Sequence, residues 1–171
     1  MARHRSDAGF SLAELTIVIV VVSIAAMVFA SMFAEATRTY RFISVEKDLT
    51  QESRYAEERI TRELRRAHGP TAIHVATPRA VTFLDRDSSI VGISWSGVQG
   101  DELVYSKNGV SRALAGEVDS LAFAYWRADG REAIPFVAPA ETDIHRVTIF
   151  LRLARDGQSV DATGAALLRL M

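Results

Sequence analysis

Cysteine is absent from the 171 residues. That removes disulfides, thiol chemistry and Cys-ligated metals in one step, and it leaves the redox compartment open, since such a chain suits either side of a membrane. An excess of charge of one sign is lacking too. Twenty basic residues stand against 21 acidic ones, a formal net charge of −1, so the basic balance typical of a nucleic-acid binder is missing. Glycine and proline are both missing from Ala34 to His68, a stretch rich in Ala, Glu, Arg and Leu that reads as unbroken helix. Two familiar catalytic signatures are missing as well. Gly97-Val98-Gln99-Gly100-Asp101 is a turn that does not match the glycine-rich phosphate motifs, and no serine sits in a Gly-x-Ser-x-Gly elbow.

What is present is concentrated at the front. A short polar leader, Met1 to Ala8 with Arg3 and Arg5, abuts Gly9-Phe10-Ser11-Leu12-Ala13-Glu14-Leu15, and an apolar run continues to Phe33. Leu15 to Phe33 is 19 residues, about 28 Å as a helix, against a hydrocarbon core of roughly 30 Å. A secretory signal would place its small-residue cleavage site after the apolar part. Here the small residue, Gly9, comes before it, and helical pattern follows without an Ala-x-Ala stop. A plain signal-anchor helix explains the apolar length and the basic leader, because basic residues favour the cytoplasmic side. It does not explain Glu14, a carboxylate at the mouth of the span, which is costly there without a partner.

Gly9 to Leu15 resembles the class III signal of type IV pilins and type II secretion pseudopilins. The resemblance implies that a prepilin peptidase cuts between Gly9 and Phe10 and methylates the new amino group of Phe10. Residues 1–9 would be lost, and 10–33 kept as a transmembrane and assembly helix. Glu14 would then neutralise the N-terminal amine of a neighbouring subunit. Residues 34–68 are expected to form an amphipathic spine helix with Phe42, Val45, Leu49, Ala56, Ile60, Leu64 and Ala67 as its apolar stripe. The opposite face carries the pairs Arg54 with Glu58 and Arg59 with Glu63. Arg62, Arg65, Arg66 and His68 crowd the last turns, where cations suit the helix dipole; a solvated helix end is expected, with an anion-binding cluster as the alternative. Gly69-Pro70 closes a helix of about 59 residues, roughly 88 Å long.

Residues 69–171 change to an alternating period. Short strands are expected at Ala72 to Val75, Ala80 to Leu84, Ile90 to Trp95, Leu103 to Tyr105, Val110 to Leu114, Val118 to Trp126 and Ile144 to Leu153, with Ala165 to Leu170 as a final edge. Asn108-Gly109 and Asp156-Gly157 mark turns, the first a strong hairpin signal. One long helix followed by short strands gives an α+β fold: an N-terminal helix packed on an antiparallel β head. Val118 to Tyr125 followed by Ile144 to Leu151 resembles the head of J-type minor pseudopilins and W-type minor pilins, whose implied role is to join other minor subunits at a fibre tip and prime assembly. Glu14 sets the chain apart from the K-type pseudopilin. The missing Cys pair sets it apart from many major pilins.

The chemistry-bearing residues are scattered. His4 falls in the leader, and His68, His74 and His145 are far apart, so surface or strand-face histidines are expected rather than a metal site. Asp85-Arg86-Asp87-Ser88-Ser89 has alternating oxygen ligands but lacks the Gly and closing Glu of an EF-hand, and reads as a turn. Trp95, Tyr125 and Trp126 are expected to pack in the sheet. No enzyme activity and no cofactor is expected. The resemblance implies as partners the prepilin peptidase, other minor subunits, the major subunit, an inner-membrane assembly platform and the lipid bilayer, with the leader cytoplasmic and the head periplasmic or extracytoplasmic. Two other functions fit the chain: a single-pass anchored enzyme or ligand-binding sensor, and a DNA-uptake (competence) pseudopilin. The near-zero net charge argues against DNA as a partner.

Overall fold

The computed structural model describes residues 11–69, 72–133, 136–137 and 144–168. The fold is α+β. Helix α1, Leu12–Leu64, is followed among the described residues by nine strands: β1 (Ile73–Thr77), β2 (Ala80–Leu84), β3 (Ile90–Ser94), β4 (Leu103–Lys107), β5 (Val110–Ala115), β6 (Val118–Arg127), β7 (Phe136–Val137), β8 (Ile144–Arg155) and β9 (Gln158–Leu167). The chain separates into two compact units, Met1–Ile43 and Ser44–Met171, with the division inside α1.

In the first unit α1 runs through Thr16 to Ile24, nearly all β-branched residues that favour strands in water. A helix is nonetheless the way for a continuous apolar segment to satisfy every backbone group within itself. Each described side chain from Ser11 to Ile43 is exposed.

The second unit builds a closed core. Leu49, Ala56, Ile60, Leu64 and Ala67 recur at helical spacing, are at most 3% exposed, and share one apolar cluster with both sheets. Burying each large aliphatic chain contributes about 1.5–3 kcal/mol. Val45 packs at the edge of this cluster, whereas Phe42, expected in the stripe, belongs to the first unit and stays 57% exposed.

Two expectations are corrected. The spine helix ends at Leu64, not His68. The N–H groups of Arg66 and Ala67 donate to the carbonyls of Glu63 (2.9 Å) and Leu64 (3.1 Å), tightening the last turn. Ala67 then bridges to Asp85, the His68 N–H donates to the Leu84 carbonyl (3.0 Å), and Gly69 turns with φ 146°. Pairing with the strand end replaces one more helical turn. Pro70 lies outside the described residues.

The head holds two antiparallel sheets: a six-stranded sheet in the order β5-β4-β3-β2-β1-β7 and a three-stranded sheet in the order β6-β8-β9. Alternation sorts the side chains as the sequence predicts. Leu121, Phe123 and Tyr125 of β6 and Val147, Ile149, Leu151 and Leu153 of β8 are buried, while Arg146, Thr148, Phe150 and Arg152 are not. Asn108-Gly109 (φ 50° and 82°) and Asp156-Gly157 (φ 51° and 77°) form the turns of the β4–β5 and β8–β9 hairpins, with the paired positive φ of a type I′ turn. The last strand begins at Gln158, well before the expected Ala165.

Candidate functional site

Gly9 and Phe10 lie outside the described residues. The described chain begins at Ser11, whose carbonyl accepts hydrogen bonds from the N–H groups of Glu14 (3.0 Å) and Leu15 (3.1 Å). Glu14 therefore stands in the first turn of α1, where the positive end of the helix dipole favours an acidic side chain. Ser11-x-x-Glu14 has the spacing of a capping box, in which the glutamate would reach back to the backbone. Among the described residues the Glu14 carboxylate makes neither that hydrogen bond nor any ion pair.

The other polar side chains of the run behave differently. The hydroxyls of Thr16, Ser23 and Ser31 donate to the carbonyls of Leu12 (2.9 Å), Ile19 (2.7 Å) and Val28 (2.8 Å). Each is satisfied by its own helix, so each can enter an apolar surrounding at small cost. Glu14 is the exception, and the next ionisable residue is Glu35. The segment between is strongly apolar, and this chain buries none of it. It is long and apolar enough to cross a membrane.

In the second unit several polar side chains are tied into the fold. Asp85, buried at the end of β2, accepts from the Arg86 N–H (2.7 Å) and pairs with Lys107 (3.3 Å) and Arg66 (3.5 Å). Arg66 also takes Asp87 at 2.9 Å. The loop once readable as a cation site thus has protein cations on both carboxylates. Among the described residues, no three His, Cys, Asp or Glu come together in a way that could hold a metal. Glu52 of α1 accepts from the Gly116 N–H (2.6 Å) and faces Arg155 (3.5 Å), which also pairs with Glu117. That hydrogen bond to Glu117 holds the Arg155 pKa above its ordinary range. This knot ties the helix to the β5–β6 turn and to the end of β8.

Of the expected helix pairs, Arg59–Glu63 forms at 2.9 Å, with Glu63 buried and Arg59 over the Tyr105 ring. No such pair joins Arg54 to Glu58 among the described residues. Tyr125 is buried and donates to the Thr77 carbonyl (2.8 Å), with the Ala80 carbonyl at 3.1 Å. Burial pushes its phenol far above the ordinary tyrosine pKa, against the opposing effect of the Thr77 hydrogen bond. Trp95 is buried, with Arg79 over its ring, and Trp126 is half-buried under Arg146. His68 and His74 are exposed and His145 is half-buried. No protein-family model matches the chain, and no curated protein matches it.

Proposed function

We propose that this chain is a prepilin-type structural subunit, a minor pseudopilin of a type II secretion pseudopilus or a minor pilin of a type IV pilus, acting in the tip complex that primes fibre assembly. The observation that carries the reading is Glu14: within an apolar helix whose hydroxyls are all internally satisfied, one carboxylate has no partner among the described residues. It stands four residues after Phe10. A cut between Gly9 and Phe10 by the prepilin peptidase would free an amine on each subunit. A buried ammonium and a buried carboxylate are each costly alone and tolerable as a pair. Pairing Glu14 of one subunit with the methylated amine of Phe10 on the next would fix the axial register. The basic leader orients the precursor with its front in the cytoplasm and its head outside the inner membrane. The assembly platform, the other minor subunits and the major subunit are the partners this reading requires.

Glu14→Ala in the full-length chain tests it. Removing one member of a buried pair costs about 3–5 kcal/mol, so incorporation should fall by about a hundredfold or more. Membrane insertion and head folding should be unchanged. Recovery of the variant in sheared or extracted fibres at the level of the unaltered chain would overturn the proposal and favour a single-pass anchored enzyme or sensor, for which Glu14 is incidental.

A further inference from the structure

Three arginines from three separate elements line one cleft of about 630 Å³: Arg65 just beyond α1, Arg86 in the β2–β3 loop and Arg146 on β8. All three are exposed, and among the described residues no carboxylate pairs with any of them. Three other arginines of the head are neutralised closely: Arg66 with Asp85 and Asp87, Arg152 with Asp161, and Arg155 with Glu52 and Glu117. Asp85 and Asp87, the acids closest in sequence to Arg86, are taken up by Arg66 and Lys107 and leave the trio uncompensated.

The three are also held. The Arg65 N–H donates to the Thr61 carbonyl (3.1 Å), and the Arg86 N–H to the Arg66 carbonyl (3.1 Å) and Asp85 Oδ1 (2.7 Å). Arg146 is paired on both sides, with Trp126 and with Leu167. Its guanidinium lies 4.9 Å from the Trp126 ring centroid, and that ring is pinned by Nε1 donating to Thr148 Oγ1 (3.2 Å). Ala165 and the exposed Leu167 complete the lining with an apolar wall. Planar guanidinium forks on fixed backbones match the paired oxygens of an oxyanion, and three of them suit a multiply charged one.

We propose that this cleft binds a phosphate-type oxyanion, free or as the headgroup of an amphiphile whose apolar part lies on Ala165 and Leu167. It stands independently of the assembly role, because it uses no residue of the first unit.

The experiment titrates the full-length chain in neutral detergent with inorganic phosphate, chloride holding the ionic strength constant. Heat of binding and the thermal midpoint are both read. Saturable binding is expected in the unaltered chain, and replacing Arg65, Arg86 and Arg146 together by Gln should weaken it by about tenfold or more. Arg112→Gln, on β5 and away from the cleft, should leave it unchanged; the ligand-free thermal midpoint checks that each variant is folded. Absence of saturable phosphate binding, or an equal loss in the Arg112 control, would overturn the proposal. Dihexanoyl phosphatidic acid then separates the sources. A gain over phosphate that Leu167→Ser erases assigns the headgroup, and equal affinities assign the free ion.

Discussion

The two units of this chain share one helix and differ in what that helix is for. From Leu12 to Ile43 every described side chain faces outward, apolar residues included. From Ser44 onward the same helix gives Leu49, Ala56, Ile60 and Leu64 to a core with both sheets. The difference lies in the pattern. A run that is apolar all round offers no particular face to fold against, so its surroundings must come from outside the chain. A stripe at helical spacing selects one face and lets the chain supply its own partner. The polar groups follow the same division: hydroxyls in the first unit turn back on the helix, whereas Glu52 and Arg66 in the second reach other parts of the head.

The comparison can be broken most forcefully at the core. Ile60→Ala should cost the head about 2–5 kcal/mol in denaturant unfolding of the full chain, whereas Val21→Ala, on the exposed run, should leave that transition within about 0.5 kcal/mol. Similar losses for both would erase the distinction. Next comes Asp85→Ala, which leaves Arg66 and Lys107 without their shared buried partner and should cost about 3 kcal/mol. A neutral result would mean that the end of α1 is held by packing alone.

Tyr125→Phe should cost about 1–3 kcal/mol, because the Thr77 and Ala80 carbonyls lose their donor. It carries a pH signature too. The folded phenol keeps its proton at pH values where the unfolded one, with a pKa near 10, loses it. The unfolded state then binds fewer protons, so stability present below about pH 10 declines as pH rises above it. Unfolding midpoints between about pH 9 and 11 should fall more steeply in the unaltered chain than in Tyr125→Phe. The smallest effect belongs to Asp161→Asn. The hydrogen bond from Arg152 holds the Asp161 carboxyl below its ordinary range, but both groups are solvent-exposed, and water screens the pair. The thermal midpoint should move less than in any variant above.

The local features were legible in the sequence. Alternation in β6 and β8 sorted the inward residues, and Asn108-Gly109 and Asp156-Gly157 marked the β4–β5 and β8–β9 turns, because both signals are carried by neighbours in the chain. The division into two sheets was not legible, since strands such as β2 and β6 alternate alike whichever sheet holds them. The start of β9 was missed for a physical reason: Gln158 to Gly164 contains no fully buried residue, so it has no apolar face to read. Helix propensity carried α1 to His68, where pairing of Ala67 with Asp85 prevailed. Glu14 was conspicuous from the start, as a charge beside an apolar run. Of the arginine cleft only Arg65 stood out, within a basic helix end; Arg86 and Arg146 join it only through the fold.

The central claim is that Glu14 and the Gly9-Phe10 junction form one device, a cut that makes an amine and a carboxylate that receives it. Intact mass and N-terminal sequencing of the chain from cells with an active prepilin peptidase test this most directly. The account predicts a mature chain that begins at Phe10 and carries one methyl group on its amino terminus. A chain that keeps residues 1–9, or begins at any other position, would contradict it.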